Sequence, residues 1–241
     1  MADQEIIKHT KKVHRIVTNK KHNLAEKIKE ISLEIFIIVF AVSLSIWLHG
    51  WSEHQHDQQD VKKFLIGLKS DIQNDINSTK SLIKQYQEFG QIYQHLNQLD
   101  QNKSYDENQF KKELSFINLN AYLRPNIYRF NGFVSSGRIG NIENDSLSLN
   151  ILRFYQKNLS EVNSSESGWL ARQKKLQSYL EDNLTNPEST ADNWKLLNTP
   201  KGKQLTKNLV PWDQIYERYN NLILLGETIV KQIDKEYDLK E

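Results

Sequence analysis

The sequence predicts an all-α fold: an N-terminal transmembrane helix followed by a long-helix bundle outside the membrane. Three observations predict it. Residues 31–51 form one apolar run of bilayer length. Beyond it, apolar residues recur at spacings of three, four and seven, the period of a helix with one buried stripe. The 241 residues contain only four prolines and nine glycines, and period-two runs closed by hairpin turns are missing. The boundaries that follow are a basic head at 1–30, a transmembrane helix at 31–51 and a helical domain at 52–241.

The head carries Lys8, Lys11, Lys12, Arg15, Lys20, Lys21, Lys27 and Lys29 against Asp3, Glu5, Glu26 and Glu30. A basic segment ahead of a span marks the cytoplasmic side, and Glu53, Asp57 and Asp60 follow the span. Both flanks predict a single-pass protein of the bacterial inner membrane, with the N-terminus cytoplasmic and the C-terminal domain periplasmic. Ile6, Ile7, Val13, Ile16 and Val17 would give the head an amphipathic face for membrane lipids. No DNA-binding fold fits in thirty residues, so nucleic acid is not expected as a partner.

The span reads ISLEIFIIVFAVSLSIWLHGW. At about 1.5 Å per residue it covers roughly 30 Å. It lies behind a long head and lacks a small-x-small cleavage site, so a retained anchor is expected. Trp47 and Trp51 are the expected interface anchors, since amphipathic rings favour the headgroup layer. Glu34 lies one turn inside the run. With Ile38, Ala41, Ser45 and Leu48 it forms one stripe, in which Ala41 and Ser45 permit close helix contact. Two readings stand: an intramembrane interface at Glu34, Ile38, Ala41 and Ser45, or a boundary carboxylate solvated by headgroup water.

The next stripe is Phe64, Leu65, Leu68, Ile72, Ile76, Leu82, Ile83, Tyr86, Phe89, Tyr93, Leu96 and Leu99. It predicts one long helix to about residue 99, with continuity across 50–60 left open. Residues 100–106 form a polar turn, and Asp106 caps a short helix carrying Phe110, Leu114 and Ile117. Pro125 is expected in the first turn of the following helix, with Tyr128 and Phe133 inward and Gly137 just past its end. Asn144 or Asp145 starts another long helix, from Ser146 to about Leu184. Its stripe includes Leu147, Ile151, Leu152, Tyr155, Leu159, Val162, Trp169, Leu176 and Leu180, and NSSESG at 163–168 is the expected place for a bend. Residues 185–200 read as a loop tacked down by Trp194, Leu196 and Leu197. A short helix at 201–209 precedes Pro211, and the last helix runs from about Trp212 to Tyr237. Such stripes must pack on each other or on a partner.

Two blocks resemble a family of uncharacterised Bacteroidota membrane proteins classed under a domain of unknown function. The first is KIKEISLEIFIIVFAVSLSIWLHGWSE with VKKFLIGLKSDI, where Glu34, Trp51, Glu53, Leu65, Leu68 and Asp71 carry the likeness. The second is NIYRFNGFVSSGRIGNIENDSLSLNILRFYQ, through Ser135, Ser136, Gly137, Ile142, Asn144, Leu147 and Tyr155. His49-Gly50 replaces the amide pair expected before Trp51. The resemblance implies a single-span envelope protein with a helical outer domain and no enzymatic activity.

The residues themselves offer little chemistry. There is no cysteine, which excludes disulfides and thiolate sites. His49, Glu53, His54 and His56 make a weak candidate metal cluster, with Asp57 and Asp60 nearby. One helix face supplies only two ligands at useful distance, so a site would need another helix or subunit. Ser135-Ser136-Gly137 lacks the nucleophile-elbow pattern, and the glycines at 132–140 form no phosphate-binding loop. No catalytic residue, cofactor or metal is therefore expected. The leading expectation is a non-enzymatic membrane-anchored accessory or scaffold subunit of a bacterial envelope complex. It would act through helical contacts, coiled-coil-like or oligomeric, with another envelope membrane protein or with itself. The alternatives are a periplasmic ligand-sensing module relaying to a partner, a metal-dependent envelope hydrolase, and a channel or transporter component with Glu34 in the shared seam.

Overall fold

The computed structural model describes Ile7, Lys11, His14 and residues 24–238 except Gln101. The rest of the basic head lies outside the described residues, and so does the expected amphipathic face there apart from Ile7. The fold is all-α, and the described residues contain no strand. The chain divides into two compact units, residues 1–60 and 61–241.

The first helix, α1 (Leu24–Gln98), is unbroken at Gly50, Gly67 and Gly90. Its apolar window is 6% buried, so this part of α1 is not the core of a soluble bundle. It is one helix with the length and apolarity to cross a membrane. Trp47, Trp51 and most apolar side chains between Leu33 and Leu48 are exposed.

In the second unit, four antiparallel limbs surround one core. From Val61 onward α1 is the first limb. Phe64, Leu65, Leu68, Ile72, Tyr86, Phe89, Tyr93 and Leu96 are buried along its expected stripe. The second limb returns alongside it as α2 (Glu107–Phe116), an irregular stretch at 119–127, and α3 (Tyr128–Ser135). The third rises as α4 (Asp145–Leu152), a π-helical segment (Arg153–Asn158) and α5 (Leu159–Asn183). Two short helices, α6 (Thr190–Leu197) and α7 (Pro200–Lys207), cross one end. The fourth limb is α8 (Asp213–Tyr237).

Local signals set most boundaries. Asp106 accepts from the backbone N–H of Asn108 and Gln109, and Asn144 accepts from that of Leu147. Gly137, at φ 75°, occupies the left-handed position just past α3. Three expectations need correction. Pro125 lies before α3, and Tyr128 is 88% exposed, with Phe130 taking the inward position. The segment at 185–200 contains a full helix, α6, capped by the Ser189 hydroxyl, which accepts from Asp192 N–H. The third limb deviates at Arg153–Asn158, while residues 163–168 remain regular α-helix.

The core centres on Trp169. Its ring lies 5.1 Å from Phe89, 5.2 Å from Tyr86 and 6.0 Å from Tyr93, and its indole N–H donates to the Leu209 carbonyl at 3.0 Å. Gly226 lets α8 cross α1 closely: a Cβ there would meet Ile76 at 3.0 Å and Ile72 at 3.1 Å. Lys69 pairs with Asp234, and Lys80 with Glu227, along the same crossing.

Candidate functional site

The unusual feature of the second unit is a segment with no regular structure inside a helical bundle. A buried backbone outside a helix or sheet must find hydrogen-bond partners elsewhere. Here side chains of the flanking helices supply them. Gln173 donates to the carbonyls of Ile117 (2.9 Å) and Leu119 (2.8 Å), and Gln177 also donates to Ile117 (2.9 Å). The Tyr86 hydroxyl donates to the Ala121 carbonyl at 3.0 Å. Leu123 N–H donates to Glu166 Oε1 at 2.8 Å, and Asn126 N–H to Asp75 Oδ1 at 3.0 Å.

Beyond the turn at Ile117 and Asn118, the ties fall on alternate residues, 119, 121 and 123, the period of an extended chain. Ile117, Ala121 and Leu123 are buried, whereas Asn118, Leu119, Asn120, Tyr122 and Arg124 are exposed. The segment is a strap held by α1 on one side and α5 on the other. A third element joins through Tyr219 of α8, whose hydroxyl donates to Glu166 Oε1 at 2.6 Å.

Burial dominates the electrostatics. Glu166 is held above the usual carboxylate range by desolvation, against the opposing pull of the Tyr219 hydroxyl and Leu123 N–H. Asp75 is raised for the same reason, although Asn126 donates to it from both backbone and side chain. Tyr86, Tyr155 and Tyr219 are all pushed upward, first by burial. They are neutral at physiological pH, and Tyr86 and Tyr219 act as hydrogen-bond donors. Below the strap, Arg129 crosses directly over Gly67 and donates to Asp71 Oδ2 at 2.8 Å. Both buried carboxylates thus accept from backbone N–H groups of the strap region.

The residues predicted from sequence lie elsewhere. Glu34 is only 2% exposed and is engaged, while Leu33, Ile35 and Phe36 beside it are open. Ile38 is half-buried, but Ala41 and Ser45, further along the stripe, are exposed. The Ser45 hydroxyl donates to the Ala41 carbonyl at 2.8 Å, so it is satisfied within its own helix. His49, Glu53, His54 and His56 are all exposed. Among the described residues no three His, Cys, Asp or Glu side chains converge to hold a metal. Ser136 donates to the Phe133 carbonyl at 2.7 Å and caps α3, and Gly137 makes the turn that follows.

Sequence reading missed Glu166, Gln173 and Asp75. Their signal was present: each is a polar residue on the apolar face of a long amphipathic stripe, one turn from Val162, Trp169 or Ile72.

A family described as "Family of unknown function (DUF6090)" matches residues 34–177, more than half of the chain. The chain belongs to DUF6090. The DUF6090 match takes in the second block whole and the first from Glu34 onward, with every residue that carries the likeness. It also takes in the strap and five of its ties, from Asp75, Tyr86, Glu166, Gln173 and Gln177, leaving only Tyr219 outside. No curated protein and no solved structure matches this DUF6090 chain.

Proposed function

We propose that the protein is a non-enzymatic, membrane-anchored accessory or scaffold subunit of a bacterial envelope complex, of the Bacteroidota type that the resemblance implies. One span holds it in the inner membrane, with the N-terminus cytoplasmic and the helical domain periplasmic. It acts by contact with another envelope membrane protein or with a second copy of itself.

The observation that carries this reading is the use made of the buried polar groups. Glu166 and Asp75, the two carboxylates raised by burial, both tie down backbone of the strap. General acids and bases must reach a substrate proton; these two are committed to holding the fold. A span with an open apolar surface, joined in sequence to a bundle tightened in this way, suits an anchor and a rigid docking body.

The test is gentle detergent extraction of the full chain, native mass measurement and in-membrane crosslinking. A defined oligomer or a stoichiometric neighbour is expected. A strictly monomeric protein that crosslinks to nothing in its native membrane overturns the proposal.

A further inference from the structure

The charge of the second unit is sharply segregated. From residue 167 to 180 the chain carries Arg172, Lys174 and Lys175 with no Asp or Glu. From 193 to 212 it carries Lys195, Lys201, Lys203 and Lys207, again with no Asp or Glu. Seven cationic side chains thus stand without an acidic residue in these two stretches, in a chain whose net charge is only +2.

The fold brings the two stretches together. α7 lies against α5: Tyr179 is hydrogen-bonded to Thr199 at 2.8 Å, and Arg172 donates to the Asn208 carbonyl at 3.4 Å. Lys174, Lys175 and Lys201 line one open groove of about 420 Å³ along this seam, together with Ser178, Tyr179 and a single acidic residue, Asp182. Lys174, Lys175, Lys201 and Lys207 are exposed, and none has an ion-pair partner among the described residues. The face sits at the Leu99 end of α1, where the Lys203 ammonium donates to the Leu99 carbonyl at 2.7 Å. That is the end of the second unit remote from Val61, since α1 rises about 55 Å from Val61 to Gln98.

We propose that this face, built from Arg172, Lys174 and Lys175 of α5 with Lys201 and Lys207 of α7, is the docking surface for an acidic protein partner. The inference rests on the scaffold reading and names the chemistry of its partner. Clustered like charges of this kind steer and orient an oppositely charged surface. Two other polyanions fit less well. No large apolar side chain is exposed between residues 167 and 212, so nothing there would insert among lipid acyl chains. The two aromatic rings there are half-buried and already engaged, Tyr179 with Thr199 and Trp212 under the Arg172 guanidinium at 4.1 Å, so a nucleic-acid strand would find no open base-stacking platform.

The test uses the full chain in zwitterionic lipid nanodiscs and poly-L-glutamate as the acidic polypeptide probe. Binding is followed by fluorescence anisotropy at several salt concentrations. The wild type is expected to bind with an affinity that falls steeply as salt rises. The variant Lys174→Glu/Lys175→Glu/Lys201→Glu should bind about tenfold more weakly or worse, while Lys174→Arg/Lys175→Arg/Lys201→Arg should bind as wild type. Reversal of Lys8, Lys11 and Lys12 in the basic head serves as the control and should leave binding unchanged. Circular dichroism on each variant separates loss of the face from loss of the fold. If the Glu triple variant folds but binds as wild type, the proposal is overturned. It is equally overturned if phosphatidylglycerol vesicles or a single-stranded oligonucleotide bind the face more tightly than poly-L-glutamate. Neither result touches the scaffold reading, which the native mass and crosslinking experiment decides.

Discussion

Replacement of Glu166 tests the strap most directly, because two substitutions there separate its hydrogen bonding from its charge. Glu166→Ala leaves two buried donors without their acceptor: Leu123 N–H, now at 2.8 Å, and the Tyr219 hydroxyl, now at 2.6 Å. Each orphaned donor costs about 1–3 kcal/mol, so the loss is about 2–6 kcal/mol. For a domain of this size that lowers the melting temperature by roughly 5–20 °C. Glu166→Gln keeps an acceptor oxygen in place and removes the buried charge. It should melt at or above the wild-type temperature at pH 8. The assay is thermal unfolding of the full chain in detergent, followed by tryptophan fluorescence, since buried Trp169 lies 5.2 Å from the Tyr86 ring. The pH dependence supplies a second readout. Burial raises the folded pKa of Glu166 above its ordinary value of 4.5. A carboxyl raised on folding favours the native state fully below the unfolded pKa, and that contribution fades as pH rises through the folded pKa. Wild type should therefore lose stability from about pH 5 upward, with Asp75 adding a change of the same sign. Glu166→Gln should flatten that slope. A Glu166→Ala protein that melts with the wild type, or a Glu166→Gln protein with an unchanged slope, would refute the reasoning.

Three further outcomes follow from the same geometry. Gly202→Ala places a Cβ 2.4 Å from the Leu196 carbonyl oxygen and 2.7 Å from Leu197 Cα, all backbone, so a loss of about 2–3 kcal/mol is expected in the same melting assay. Gly67→Ala meets only the Arg129 guanidinium, a flexible group whose pairing with Asp71 is half-exposed; displacing it should cost under about 1 kcal/mol, and a larger loss would mean the pair matters more than its exposure allows. The chain has no cysteine, so Ser104→Cys and Lys8→Cys each introduce a single thiol. An impermeant maleimide added to intact spheroplasts should label Ser104→Cys at once and Lys8→Cys only after permeabilisation, and the reverse order would invert the proposed orientation.

Much of the architecture was legible because helices advertise a period. The stripe from Phe64 to Leu99 and the face from Ile215 to Ile233 both become buried surface. Asp106 and Asn144 mark helix starts through side-chain chemistry that acts over three residues. What stayed hidden depends on partners distant in sequence. Nothing local in 117–127 says that its carbonyls and amides will be met by Gln173, Tyr86, Glu166 and Asp75. An unpaired extended stretch and a strap bound inside a bundle look alike until those side chains are placed. Likewise Ser189, Asp192 and Trp194 were compatible with a loop, and it is the buried Trp194, stacked 4.0 Å from Tyr105, that accompanies α6 in the fold.

The third limb shows how such a mismatch is absorbed. A strict helical stripe places Ile151, Tyr155 and Leu159 inward and leaves Phe154 at the margin. In the structure both Phe154 and Tyr155 are buried, with Tyr155 stacked 4.3 Å from Phe130. The π-helical segment at Arg153–Asn158 makes this possible, because its wider turn inserts an extra residue into the register of the face. The shift matters above it: the register set there brings Glu166 and Gln173 to the strap about two and four turns higher, on the face that also carries Trp169. Removing one residue from the segment, such as deletion of Gln156, should restore a regular α-helix. It would turn Phe154 or Tyr155 outward and rotate one carboxamide or carboxylate away from its backbone partner. The expected result is a protein that keeps its helical circular dichroism but loses the protected amide of Leu123 in hydrogen exchange, while the amide of Asn126, held by Asp75 of α1, stays protected. Retained protection of the Leu123 amide would mean that the strap is held by its apolar residues, Ile117, Ala121 and Leu123, with the polar ties following rather than setting its path.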